Sequence, residues 1–234
     1  MTLPIRLVAL DMAGTTVADD GAVEEAFQQA LDSVGLTAGS LRGEPSEYVR
    51  RTMGQSKIEV FTELLGGDRH RADRANTAFE AAFDLAVDRG EVAPAPGAEL
   101  VFADLRRAGM RICLTTGFSP ATRDRILSAL SWEGVVDLAL SPVDAGRGRP
   151  WPDMILTAVL RLRIDDVAEV AVVGDTAGDL VAGTRSGASV VIGVLSGAHS
   201  RHELARAPHT HLIDSVADLP ALLLPLRPDG PAAA

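Results

Sequence analysis

Five short apolar runs punctuate the chain, over 6–11, 110–116, 136–141, 169–175 and 189–194. The first, Arg6-Leu-Val-Ala-Leu-Asp11, is closed by an acid. It predicts a strand buried on both faces, with a carboxylate emerging at its C-terminal edge. Between the later runs, apolar residues recur at helical spacing over 97–107, 120–130, 152–162 and 177–187. Such alternation predicts an α/β fold, a doubly wound, Rossmann-like parallel sheet with chemistry at the strand C-terminal ends. Those ends follow Asp11, Thr116, Ser141 and Asp175.

The stretch from about 20 to 91 breaks the rhythm. It holds no clear strand, and its amphipathic patterns predict helices over 22–34, 46–53, 56–65 and 72–88. Its borders, Ala18-Asp-Asp-Gly21 and Val92-Ala-Pro-Ala-Pro-Gly97, are turn-rich linkers. The organisation expected is a catalytic core of 1–19 and 92–227, with a helical cap of 20–91 inserted as a lid. The tail 228–234 is expected to fray.

Composition narrows the function. Hydrophobic residues are 47% and charged residues 23% of 234, as in globular proteins. No apolar run approaches the ~20 residues of a membrane span, and the N-terminus reads as a strand, not a signal peptide. The single cysteine, Cys113, excludes an internal disulfide and fits a cytoplasmic setting. A net charge of −10 argues against nucleic acid or anionic membrane as a partner, while leaving room for a small phosphorylated or phosphonate substrate in a local cationic pocket. The 22 basic residues are 21 Arg and one Lys, at position 57. A general preference for Arg would explain the 21. A lone Lys suggests a site that needs an amine, which burial can neutralise where a guanidinium stays charged.

Asp11-Met-Ala-Gly-Thr-Thr16 places a carboxylate at a strand tip, beside Gly14 and Thr15. Such a turn can attack phosphorus while backbone N–H groups hold the phosphoryl oxygens, although alone it is a common β–α connector. Thr116-Gly117 adds a hydroxyl and a backbone N–H, and Gly148-Arg149-Pro150 a guanidinium for phosphate. Gly174-Asp175-Thr-Ala-Gly-Asp179 sets two carboxylates four apart at a helix start. Carboxylates gathered beside a phosphate repel each other unless a hard cation such as Mg²⁺ binds there.

In their order and spacing, these four stations and the insertion resemble the haloacid dehalogenase superfamily of hydrolases. The resemblance implies Asp11 as nucleophile, with Thr116 and Arg149 as phosphate holders. It also implies Mg²⁺ on Asp11, the Ala13 carbonyl and Asp175, with Asp179 supporting the metal directly or through water. Phosphomonoesterases of that superfamily usually carry a second Asp two residues after the nucleophile; here Ala13 stands there. Losing that acid would forfeit roughly 10²- to 10⁴-fold of rate with an alkoxide leaving group. A phosphoanhydride, a leaving group with its own proton, or a carbon group delocalised through an imine would tolerate the loss.

Asp-x-Ala-Gly-Thr-Thr, Met53-Gly-x-x-Lys57, Thr-Thr-Gly117 and Gly-Arg149-Pro-x-Pro resemble the phosphonatase (phosphonoacetaldehyde hydrolase) branch. That resemblance implies a Schiff base on Lys57, with Met53 and Gly54 lining the pocket. It implies cleavage of the C–P bond of phosphonoacetaldehyde or a related 2-oxo-alkylphosphonate. The alternative is a phosphatase acting on a small phosphoester or activated phosphate. Val60 and Phe118 stand where the branch carries His and Tyr, and Arg147 is an added cation.

The remaining residues read plainly. Cys113 is a small core residue, and His70, His199, His202, His209 and His211 are surface residues. Gly193 to Gly197 is a turn, and Trp151 packs either under the phosphate loop or in the core. A homodimer through the apolar stripe of 22–34 is compatible with the pattern, although such a stripe more often forms its own domain's core.

Overall fold

The computed structural model describes residues 4–36, 48 and 52–224. Six parallel strands form the central sheet, in the order β5-β4-β1-β6-β7-β8. They are β1 (Leu7–Asp11), β4 (Arg111–Thr115), β5 (Leu138–Leu140), β6 (Val170–Gly174), β7 (Val190–Val194) and β8 (His211–Ile213). Asp11 pairs in register with Thr115, and Val173 pairs with Leu10, so the acidic tips share one edge. The α/β parallel sheet is as the alternation predicts. The sixth strand was not expected: His-Leu-Ile is too short and too polar at its start to register as an apolar run.

Residues alternate between the two sheet faces. Val8, Leu10, Ile112 and Leu114 belong to one cluster with Val101, Phe102 and Leu105 of the helix Ala98–Arg107. Leu7, Ala9, Cys113, Val170 and Val172 pack oppositely on Met154, Ile155 and Ala158 of Asp153–Leu162. Cys113 is fully buried there, and burial pushes its thiol far above the usual range, so it is inert packing.

Between β1 and β4 the described helices include α1 (Ala22–Ser33), α2 (Lys57–Leu64) and α3 (Arg69–Asp88). The expected helix over 46–53 lies largely outside the described residues, as does the tail 228–234. Helix α3 starts three residues before its apolar pattern because Asp68 caps it, accepting from Arg71 N at 3.1 Å. His70 is exposed in its first turn, as expected. The α1 stripe (Val23, Ala26, Phe27, Ala30, Leu31) is buried within the helical layer, with Phe27 stacked on Phe61 at 4.7 Å between ring centroids.

The two linkers are not open coil. Val17–Ala18 pairs antiparallel with Ala93–Pro94, a two-stranded ribbon at the root of the helical insertion (β2 and β3). Strands of two residues leave no periodic trace in a sequence. A second tie is aromatic: Phe118, just beyond β4, stacks on Phe83 at 4.7 Å and reaches Phe79 at 6.1 Å.

Candidate active site

Asp11 ends β1 and is buried. The chain then turns tightly: Thr15, Thr16 and Val17 N–H groups all donate to Met12 O, Gly14 N donates to Val17 O, and Thr16 Oγ1 donates to Asp11 O at 2.8 Å. Gly14 makes the turn at φ 85°. Met12 N and Thr116 N are bonded to Thr115 O and Leu140 O. Within these two turns, among the described residues, this leaves the N–H groups of Ala13 and Gly117 on the cavity without an internal acceptor.

The cavity measures about 330 Å³. It gathers Asp11, Ala13, Gly14, Thr116, Gly117 and Asp175 from the sheet edge, and Met53, Gly54 and Lys57 from the helical insertion. Three other residues named from the sequence stand behind it. Thr15 is fully buried and donates to Asp175 Oδ1 at 3.0 Å, so it orients an acid and does not face substrate. Asp179 Oδ2 accepts from Thr176 N (3.1 Å) and Thr176 Oγ1 (2.5 Å), closing a capping box on the helix Ala177–Ser186. Its Oδ1 pairs with Arg149 Nε at 2.6 Å, which leaves neither oxygen turned to a metal at the cavity.

Arg149 is likewise spent on the protein. Its guanidinium pairs with Asp11 Oδ1 at 2.7 Å and donates to Thr115 Oγ1 at 2.7 Å and to Gly54 O at 3.0 Å. It therefore grips the nucleophile from below and the insertion from the side, where the sequence suggested a direct phosphate holder. Thr115 was missed because the neighbouring Thr116 fitted the motif.

Charge decides what the cluster can hold. Burial pushes the Asp11 carboxyl well above the usual carboxylate range; Asp179 and Asp175 add to this, against the pull of Arg149. Burial, together with Asp179, raises Asp175 to about 6, although Ala198 N and Thr15 hydrogen-bond to it. Burial alone would pull Arg149 down, but Asp11, Asp179 and Asp175 hold it above its usual value. One guanidinium thus faces three carboxylates, two of them open to the cavity. The all-oxygen set of Asp11, Asp175 and the Ala13 carbonyl suits a small hard cation, which would restore both carboxylates to their charged form.

The wall behind Asp175 was not foreseen. Ser196 Oγ donates to Gly14 O at 3.0 Å, and Ala198 N donates to Asp175 Oδ2 at 2.7 Å. A Cβ on Gly197 would lie 2.1 Å from Asp175 Oδ2, so only glycine passes there. The stretch read as a plain turn is therefore half strand and half site. The signal was available, since this loop also leaves a strand C-terminus. His199, expected at the surface, is buried, and its Nδ1 accepts from Ala177 N at 3.0 Å. Trp151, by contrast, is 43% exposed and belongs to no core.

Lys57 is the first residue of α2 and is buried. Its Nζ lies 5.6 Å from the Phe79 ring centre and 5.9 Å from that of Phe118. Burial lowers its pKa to about 8, with Arg149 pulling the same way and Asp11, Asp19 and Asp175 pulling back. At pH 7 about a tenth of such a group is free amine, against about three parts in ten thousand for an ordinary lysine. Asp19, on the linker beside the ribbon, also lines the cavity; burial holds its carboxyl above the usual range. It was missed because a linker acid reads as solvated.

Cap and core meet closely at Gly117. A Cβ there would stand 2.2 Å from Gln55 O and 2.9 Å from Gly54 O. The backbone of the insertion lies directly on the loop that follows β4.

Comparison with known proteins agrees with this geometry. The family model of haloacid dehalogenase-like hydrolases matches residues 5–187. The chain belongs to that family. It is 33% identical over 261 residues to a phosphonoacetaldehyde hydrolase of Bordetella pertussis (strain Tohama I), covering 95% of this chain and 93% of that protein. Among solved structures it resembles a phosphonoacetaldehyde hydrolase-like protein from Oleispira antarctica, with TM-score 0.80 and 25% identity over 95% of this chain and 92% of that one. A hydrolase from Pseudomonas syringae superposes with TM-score 0.81 at 23% identity, over 93% and 97% of the two chains, which shows the shared fold.

Proposed function

We propose that this hydrolase cleaves the C–P bond of phosphonoacetaldehyde or a closely related 2-oxo-alkylphosphonate, with Asp11 as nucleophile, Lys57 as Schiff-base residue and Mg²⁺ as cofactor. The observation that carries the reading is the position of the sole lysine: buried, with a lowered pKa, on the same cavity as Asp11. The names of its relatives support the same reading.

The Lys57 amine attacks the aldehyde carbon, and loss of water leaves an iminium. An Asp11 oxygen attacks phosphorus opposite the C–P bond, whose electron pair passes into the iminium and leaves an enamine. Protonation at carbon and hydrolysis release acetaldehyde and the free amine. Water then cleaves the acyl phosphate on Asp11, returning the carboxylate and phosphate. Ala13 is no handicap in this chemistry, because the departing carbon needs no proton in the cleavage step. Mg²⁺ held by Asp11, Asp175 and the Ala13 carbonyl would supply charge neutralisation between the carboxylates and the phosphonate. Arg149 fixes Asp11 Oδ1 and leaves the other oxygen to attack. Asp19 offers an acid to the imine end of the cavity. Gly54 and Gln55, laid on Gly117, close the site against water.

Phosphate release tests this directly. The chain is expected to liberate phosphate from phosphonoacetaldehyde in the presence of Mg²⁺, and to lose this activity with EDTA and regain it with Mg²⁺. Turnover of simple phosphate esters with none of the phosphonate would assign the site to a phosphatase.

The pH profile should report the amine. Only neutral Lys57 attacks the carbonyl, so kcat/KM is expected to rise about tenfold per pH unit below a limb near pH 8, then flatten. A profile flat between pH 6 and 9 would mean that no lysine titrates on the reaction path.

Gly117→Ala places a methyl against the Gln55 carbonyl and should hold the insertion off the core. We expect kcat/KM to fall by about a hundredfold with an unchanged circular dichroism spectrum, because misplacement by an ångström is enough to lose that factor. Near wild-type turnover would show that the two parts need not meet during the reaction.

A further inference from the structure

Arg149 must hold four partners at once, yet it sits in a loop, between the short helix Pro142–Ala145 and the helix Asp153–Leu162. Loops are mobile by default. The contacts that could still this one lie on its outer side.

Trp151 N donates to Gly148 O at 3.1 Å, folding the segment around Arg149. The guanidinium of Arg147 lies over the Trp151 ring, 4.2 Å from its centroid, and that of Arg185 lies 4.9 Å from it. Each cation is itself anchored. Arg147 donates to both oxygens of Asp153, through Nε at 2.8 Å and Nη2 at 2.8 Å. Arg185 donates to Pro150 O at 2.9 Å. It stands in the last turn of Ala177–Ser186, the helix whose first turn carries Asp179. The loop is therefore fastened twice to one helix, inside through Asp179 and Arg149, outside through Arg185 and Trp151. Trp151 also borders a small void shared with Arg149, Thr115 and Asp179.

We propose that Trp151, with Arg147 and Arg185 over its ring, is a positioning residue that sets where the Arg149 guanidinium stands beside Asp11. This rests on Asp11 being the nucleophile. An aromatic face is well suited to that role, because it holds two guanidiniums by attraction to its π system without consuming their hydrogen bonds.

The test is a double-mutant cycle on the full chain, read as phosphate release from phosphonoacetaldehyde, or from acetyl phosphate where only that is turned over. Trp151→Ala should lower kcat by about tenfold, with KM within about twofold, as expected when a catalytic group is displaced and binding is not. Trp151→Tyr, which keeps a π face, should restore most of the rate. In an Arg149→Lys background, Trp151→Ala should cost less than about twofold, because the fork it positions is gone. If Arg149→Lys fails to fold, Thr115→Val serves as the second site, since it removes one anchor of the guanidinium and no charge. An active wild type with Trp151→Ala within twofold in kcat would overturn the proposal. So would a loss confined to KM, or an undiminished loss in the second background. A wild type inactive on both compounds would overturn the functional reading and the proposal with it.

Discussion

Lys57→Arg is expected to reduce turnover of phosphonoacetaldehyde by at least about a thousandfold, although the positive charge is kept. An arginine cannot shed its proton at working pH and cannot condense with an aldehyde. The surroundings are already arranged for an amine: Phe79 and Phe118 beside Nζ, and a pKa lowered to about 8 mainly by burial. Were Lys57 only a clamp for the phosphonate, arginine would clamp it as well or better. Substantial activity in steady-state assays of this variant would therefore remove the imine from the mechanism. Circular dichroism and thermal unfolding separate that outcome from misfolding.

Asp11→Asn is expected to abolish phosphate release, by about four orders of magnitude or more, through a different loss. The amide cannot take up a phosphoryl group, yet it matches the carboxylate in shape. The change also strips Arg149 of one of its two ion pairs, the other being Asp179. Because Lys57 is untouched, the imine should still form and should accumulate with the C–P bond intact. Phosphate release near the wild-type rate would mean that another group attacks phosphorus.

Asp11, Thr116 and Asp175 close apolar runs, and apolar runs are the strongest local signal of buried parallel strands, so the sheet edge and its acids were legible. Lys57 was legible through composition, as the one amine among guanidiniums. What stayed hidden depends on side-chain direction and on pairing across long separations. Asp179 is four residues from Asp175 at a helix start, a spacing that suggested a shared metal. The capping box on Thr176 turns it instead to Arg149. Thr15 was set beside the phosphate by its place in the loop, whereas its hydroxyl faces Asp175 across 160 residues. The ribbon Val17–Ala18 with Ala93–Pro94 and the wall at Gly197 are backbone contacts, and residue types encode these weakly.

Borohydride trapping followed by mass spectrometry tests the central claim most directly, and the single lysine makes the readout unambiguous. Incubation with phosphonoacetaldehyde and Mg²⁺, then reduction, should leave an N-ethyl group on Lys57 of the wild type, because the C–P bond has broken before reduction. Asp11→Asn should carry an N-phosphonoethyl group on the same residue. A wild type that releases phosphate from phosphonoacetaldehyde while its Lys57 peptide stays unmodified would contradict the account.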